Sequence, residues 1–452
     1  MMNISWEHQA HLADGGTPPC TPDPCFYQLT SFHNPAHILA GLSEQLNGAL
    51  DLAHGTVANV WHIAGRSLQV VYRVPAYQAA GTELIVNVRF LARGTSLGAY
   101  HAAIADAGRA TIAHLPEWDA IAWLFPSDPQ LLQLPAMLDR AGVSARLSRY
   151  HGMPIAPEQL SWRLLSYLPG ERCAIMYQTA SPEHTSIGKL QRGTAAATAH
   201  RRMLELSAMP GLSLRIPRPL GVDEALGARW EAYVEGQRLD TLIEQAGFGA
   251  LIDNTMQALV HLHAAPLAGL PAAGVEQILQ RTCAKAMRRI HSTLAGLAPA
   301  AAGFFAQLER KAAALPRRLL GTIHGDLHSA NILVDRHGPV LIDLDNLALG
   351  DPAHDLALLG SRLLLVALHR GMRLADVAGV VESMPAAYAT AGGAPIPERV
   401  FAWHLAAMLV GRQIKTCIRH RAPGLERLAP ALLRYADETL AHDRFRAAIV
   451  RP

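Results

Sequence analysis

The chain is poor in several things that would have placed it at once. Five cysteines in 452 residues are sparse, odd in number and not spaced with histidines into a cluster. A disulfide-stapled secreted scaffold and a zinc-ribbon framework are therefore not expected. Cys20 and Cys25, in "PPCTPDPCF", have the look of a clip or half a metal site, but a Pro-rich tail in a reducing compartment accounts for them better. No stretch approaches 18 uninterrupted apolar residues, so no membrane span is expected. The opening "MMNISWEHQAHLADGG" lacks the basic and apolar regions of a secretory signal. Charge of one sign is also missing: the formal net charge is +3, which implies no nucleic-acid or other polyanionic partner. A cytoplasmic enzyme is the expectation that survives these absences.

What is present is a soluble globular composition, half apolar and 17% charged, in a length that predicts two or three domains. Residues 1–34 are polar and rich in proline and read as a flexible tail. Residues 35–150 read as an α/β segment, with "LQVVYRVPAY" and "ELIVNVRFLAR" as paired strands. From 151 to 236 a second strand-rich block includes "WRLLSYLPGERCAIMYQ", "TSIGKLQ" and "RWEAYV", with a helix over "TAAATAHRRMLELSAM". After Gly236 the texture turns to amphipathic helices up to residue 452. The two strand-rich blocks share a faint pattern, an apolar strand ending in Tyr72 or Tyr177 and an Arg-Gly-Thr beginning at Arg93 or Arg192. Their spacings differ by six residues, and chance or a shared hairpin habit explains the pattern better than duplication.

The densest stretch is "TIHGDLHSANILVDRHGPVLIDLD", residues 322–345, with three histidines, four aspartates and an asparagine. A zinc site would need converging ligands, but His324 and His328 flank a glycine-containing loop and no HExxH is present. A serine hydrolase would need a GxSxG elbow, which "HSAN" is not. Phosphoryl transfer needs a carboxylate for the hydroxyl proton, oxygen ligands for Mg²⁺ and a lysine for the phosphates. Asp326 and Asn331 stand at the D-x-x-x-x-N spacing of a kinase catalytic loop. The following hairpin, "NILVD" to "PVLIDLD", would return Asp343 beside Asn331.

With these residues in view, "HGDLHSAN...VLIDLDNLALGDPAHDLALL" resembles the aminoglycoside phosphotransferase and choline kinase-like family. The resemblance implies an α+β, two-lobed protein-kinase-like fold: a small β-rich lobe over 151–236 and a larger helical lobe over 237–452. Maltokinase-like relatives carry an N-terminal cap, to which the extra α/β segment at 35–150 is similar. The resemblance also implies ATP and Mg²⁺ as cofactors and a small-molecule hydroxyl acceptor. Asp326 would be the base, and Asn331 and Asp343 the Mg²⁺ ligands, with Asp345 a second-metal or supporting residue. His324 would brace the loop, and His328 would contact the γ-phosphate or simply pack. Asp355 would cap the next helix or tie the catalytic loop.

Lys189 in "TSIGKLQ" corresponds to the ATP lysine, and Glu205 in the next helix to its expected partner. "RWEAYVEGQRL" resembles the inter-lobe hinge, where the Ala232 carbonyl and the Val234 amide would meet adenine. The turn at Pro169, Gly170 and Glu171 would cover the phosphates, although no G-x-G-x-x-G is present. Arg412, Lys415 and Arg419 share a helix face, read either as a solvated face near Glu426 and Glu438 or as a sign of a neutral or anionic acceptor. The rival function is a kinase-like nucleotide-binding regulatory protein without turnover, whose signature, loss of a motif residue, is not seen.

Overall fold

A computed structural model of the chain describes residues 23–45, 52, 54–75, 83–107 and 112–449. Most of the expected tail, including Cys20, lies outside them. Residues 23–34 do not continue it: Phe26, Leu29 and Phe32 are buried in the first core.

The first unit packs α1 (Pro35–Gln45) on an antiparallel sheet of β1 (Thr56–Ile63), β2 (Ser67–Pro75), β3 (Glu83–Phe90), β4 (Ile112–Leu115) and β5 (Ala120–Leu124), in the order β1-β2-β3-β5-β4, with α2 (Ser96–Ala107) between β3 and β4. The second unit has α3 (Arg140–His151), then β6 (Ser161–Leu168), β7 (Arg172–Gln178), β8 (Ser186–Gln191), α4 (Ala195–Ser207), β9 (Pro219–Asp223) and β10 (Ala228–Ala232), in the order β6-β7-β8-β10-β9. Both follow one path.

The correspondence reaches individual side chains and corrects the expectation that chance relates the blocks. Asp23 accepts from the Gly65 amide (2.8 Å) and pairs with His62 Nε2 (2.9 Å). Asp128, 105 positions later, accepts from the Gly170 amide (2.7 Å) and the Tyr167 hydroxyl (2.6 Å), and these residues also lie 105 after their counterparts. Gly65 and Gly170 both have positive φ, which a β-turn residue at that place tolerates only as glycine at little cost. Tyr72 donates to the Phe32 carbonyl as Tyr177 does to that of Met137, again at the same offset. The buried faces of the helices match too: Ile38, Leu39 and Leu42 against Val143, Ser144 and Leu147. The chain thus carries two copies of one β-rich unit.

The copies differ where chemistry would sit. By strand register Lys189, paired with Ala174 and Arg229, corresponds to Arg89, paired with Gln69 and Ile121. Arg229 and Glu231 of the second copy correspond to Ile121 and Trp123 of the first, apolar residues that pack under α2.

A short link, residues 233–236, leads from β10 to β11 (Gln237–Arg238) and the helical lobe. That lobe holds α5 (Phe248–Ala264), β12 (Ala272–Ala273), α6 (Val275–Gln277), α7 (Ala284–Thr293), α8 (Ala298–Ala312), β13 (Gly321–Ile323), β14 (Ile332–Asp335), β15 (Gly338–Leu341) and β16 (Ala348–Gly350). It ends in α9 (Ala353–Arg370), α10 (Leu374–Thr390), α11 (Glu398–Met408), α12 (Lys415–Arg419) and α13 (Leu425–Ala441). Helix α9 is its axis, buried along nearly its whole length because apolar residues surround it on all sides. A π turn, Leu409–Ile414, joins α11 to α12 and re-aims the side chains that follow it. The whole is the α+β, two-lobed protein-kinase-like arrangement expected, with a second β-rich unit ahead of it.

Candidate active site

The loop that carries the candidate base leaves β13 at Ile323 and is held from below by one carboxylate. Asp355, fully buried at the start of α9, accepts from the His324 amide (2.6 Å) and the Gly325 amide (3.0 Å). Its other contact is His263 Nε2 (3.2 Å), itself fixed by the Tyr388 hydroxyl. Asp355 therefore ties the loop. Gly325 has φ +74°, and a Cβ there would lie 2.3 Å from the Asn346 carbonyl, so no other residue fits without moving the loop. His324 braces the opposite wall through Nε2 and the Ile342 carbonyl (2.9 Å).

Beyond the glycine, Asp326 is almost fully buried and ion-paired with Arg412, 86 positions away. Burial alone would raise its carboxyl, but the Arg412 guanidinium outweighs that and holds it well below the usual carboxylate range. Burial pushes His328 well below the usual histidine value against the pull of Asp326, so its ring is neutral at pH 7. Both its ring nitrogens are buried without a hydrogen-bond partner, and the ring lines the cleft. Asn331 turns its amide nitrogen to the Asp326 carbonyl (3.1 Å), which leaves its oxygen available.

The β14–β15 hairpin carries the chain back, and the Ile342 amide donates to the Asn331 carbonyl (2.9 Å). Asp343 follows in the left-handed region (φ 63°), a conformation unusual for a residue other than glycine. Its carboxylate stands 3.6 Å from Lys189 Nζ. Burial would raise the Asp343 carboxyl, and the Lys189 charge brings it well below the ordinary value. Asn331 and Asp343 thus place hard oxygen donors on one wall. No group of three His, Cys, Asp or Glu side chains able to hold a metal exists among the described residues. Two ligands fit Mg²⁺, which keeps several waters.

Three expectations need correction. Glu205 is on the surface, 3.8 Å from Arg201 in its own helix, and Lys189 pairs instead with Glu231 on the neighbouring strand (2.9 Å). Strand geometry explains it: Lys189 and Glu231 lie two register positions apart on adjacent antiparallel strands, within reach on one face. Asp345 is not open to a metal, because Arg229 and Gln191 hold its two oxygens. Gly170 does not face the cleft, since its amide is committed to Asp128; Arg172, two residues on, lines it. Lys189, Glu231, Arg229 and Asp345 form one buried chain of alternating charge. In it burial would lower the Lys189 ammonium but Glu231 raises it overall, and both cations draw the Glu231 carboxyl down.

These walls enclose a cleft of about 700 Å³. Ala232 at the end of β10 and Val234 of the link line it, and the Ala232 amide is bonded to the Arg218 carbonyl. Thr56, Val57, Ala58, Asn59 and Arg73 of the first unit border it as well. Sequence reasoning missed Glu231 and Arg229, and it put Arg412 on a basic helix face without finding its partner Asp326. The first two could have been noticed as charges at i and i+2 in a strand that is otherwise buried.

No curated protein sequence matches the chain. Among solved structures, a thermostable mutant of aminoglycoside phosphotransferase APH(4)-Ia is 16% identical, over 66% of this chain and 98% of that one, with TM-score 0.43. A choline/ethanolamine kinase family protein from Mesorhizobium loti is 15% identical, over 64% and 92%, with TM-score 0.45. The macrolide 2'-phosphotransferase MphH from Brachybacterium faecium is 17% identical, over 64% and 96%, with TM-score 0.40. The sequence model described as "APH: Phosphotransferase enzyme family" matches residues 189–375, a span that runs from the cleft lysine through the loop that carries Asp326 into the helical lobe. Over that span, the chain is similar to the phosphotransferase enzyme family.

Proposed function

We propose that the protein is an ATP- and Mg²⁺-dependent kinase that moves the γ-phosphoryl group of ATP to a hydroxyl of a small molecule. The observation that carries this reading is the meeting of Lys189, Asn331 and Asp343 at one cleft, with Asp326 on the same loop as Asn331. Ala232 and Val234, which line the cleft, would meet adenine with main-chain groups. Lys189, kept charged by Glu231, would neutralise the phosphates. Asn331 and Asp343 would hold Mg²⁺, which when bound supplies charge neutralisation at the phosphate oxygens. Asp326, ionised across the neutral range, accepts a hydrogen bond from the acceptor hydroxyl. It takes that proton as the new O–P bond forms and ADP leaves. A loose transition state asks for positioning and charge more than for covalent chemistry, and rigid anchors such as Asp355 supply the positioning.

Thermal unfolding with ATP or GTP, each with and without Mg²⁺, on wild type and Asp343→Ala tests this. A nucleotide at about 100 times its dissociation constant adds roughly 2.7 kcal/mol. Stabilisation of the wild type that needs both ATP and Mg²⁺, and loses its metal-dependent part in Asp343→Ala, is the expected result. An unfolding curve that no nucleotide moves would remove the reading and favour a fold kept without turnover.

A further inference from the structure

The basic residues near the end of the chain do not form a solvated face. Arg412 reaches the base, Asp326, and Arg419 approaches Glu171 in the turn before β7 (4.0 Å). Around them lie cations that no carboxylate answers. Lys415, at i+3 from Arg412, is partly buried and makes no ion pair or side-chain hydrogen bond among the described residues. Its carbonyl receives Arg289 from α7 (3.4 Å), and Arg289 likewise makes no ion pair there. Arg362 on α9 is 3% exposed, has a buried Nε without a partner and makes no ion pair among the described residues. A hydrogen bond from Gln413 to Ser361 (2.9 Å) fastens the π turn to α9 directly beside Arg412 and Arg362. Asp240, whose charge offsets part of the burial of Arg362, is already engaged by Arg238 (2.6 Å).

Burial and mutual repulsion show in the ionisation of the group. Lys415 is pushed down to about 7 by burial and by Arg412, Arg289 and Lys285. Arg289 is pushed down to about 10 by burial, Arg419 and Arg66, the last of these from the β1–β2 turn of the first unit. Buried cations set side by side are costly unless an anion completes them. A cationic acceptor would add to that repulsion.

We propose that the acceptor carries an anionic group, a phosphate ester or a carboxylate, which binds among Lys415, Arg362 and Arg289 while its hydroxyl reaches Asp326. Arg412 then divides its donors between the base and the acceptor anion. The inference rests on the phosphotransferase reading and narrows its substrate class. No bond is made or broken at this subsite; it holds the acceptor.

The test uses the full chain saturated with Mg²⁺ and a non-hydrolysable ATP analogue, so that added anions cannot enter the γ-phosphate position. Glucose, glucosamine, glucuronate, glucose 6-phosphate and inorganic phosphate are titrated calorimetrically against wild type, Lys415→Gln and Arg362→Met. At least one anionic probe is expected to bind about tenfold or more tightly than glucose, with glucosamine weakest, and either variant to remove most of that preference. Tighter binding of the phosphate probes assigns a phosphate ester, and tighter binding of glucuronate assigns an acid. The melting temperature of each variant without probe reports folding, and Lys415→Gln is expected to melt no lower than wild type. Glucosamine binding best, no anion binding at millimolar concentration, or both variants keeping the anion preference would overturn the inference alone. If the nucleotide analogue itself gives no stabilisation, the phosphotransferase reading fails and takes this inference with it.

Discussion

Lys189 takes its counter-ion from the strand beside it: Nζ lies 2.9 Å from Glu231 Oε1, while Glu205 on the following helix is turned to solvent. The lysine is thereby fixed by the sheet, and α4 need not shift to complete the site.

Removing the carboxylate should therefore be severe, and removing the helix glutamate should not. Glu231→Gln leaves Lys189 and Arg229 buried against each other and is expected to cost about 3–5 kcal/mol in chemical denaturation. Glu205→Ala should stay within about 0.5 kcal/mol of wild type and keep its nucleotide affinity. Equal effects would place the lysine's anchor elsewhere.

Asp326→Asn should lower kcat by about 10²–10⁴-fold in an ADP-release assay while nucleotide binding persists. His328→Gln should do less. Because Asp326 is ionised and His328 neutral throughout the ordinary range, no acid limb near pH 6.5 is expected in the wild-type rate profile. A limb there that His328→Gln abolishes would give the histidine a proton-transferring role.

The pH dependence of acceptor binding should come from Lys415. Its folded value near 7 lies below that of the unfolded chain, so its charge is lost as pH rises through about 7. The folded state then binds fewer protons than the unfolded one between that value and the ordinary lysine range. Stability rises with pH across this window, and the cost of the buried charge is full below it. Affinity for an anionic acceptor should fall as pH increases from 6 to 9, with proton uptake on binding at the upper end. Calorimetry in buffers of different ionisation heat reads that uptake, and Lys415→Gln should abolish it.

Asp355 is a support, and its loss should appear as one. Asp355→Ala strands the His324 and Gly325 amides and is expected to destabilise by about 2–4 kcal/mol. With the loop loosened, kcat should fall more than KM rises. A pure KM effect would speak against a loop-tying role.

The catalytic loop, the hairpin that returns Asp343 and the lysine strand were legible because each depends on local spacing. Arg412 was not, since its partner is 86 positions away and only the packing of the π turn against α9 brings them together. The repeat was legible and was passed over. "DPCFYQL" and "DPQLLQL" align without a gap at 105 residues, and the alignment continues through both following helices. Comparison of the strands alone hid it, because 14 residues separate Tyr72 from its partner Val86 and only nine separate Tyr177 from Ser186. A hairpin loop of different length shifts every later match.

Tyr72→Phe and Tyr177→Phe should report that kinship directly. Each deletes one buried hydroxyl bond to an equivalent carbonyl, Phe32 or Met137, and each should cost about 1–1.5 kcal/mol.

The first copy has one more consequence. Its Trp123 indole and Asn87 amide meet the Tyr167 hydroxyl of the second copy, while the Val60 carbonyl at its other edge receives His420 after α12. It is attached to both lobes, and both it and the 233–236 link border the same cleft. The two lobes are therefore buckled together twice, by the covalent link and by a non-covalent clasp. On the proposed kinase reading, nucleotide exchange by swinging the lobes apart would have to unfasten the clasp first, which would tie the rate of ADP departure to the contacts of the first unit.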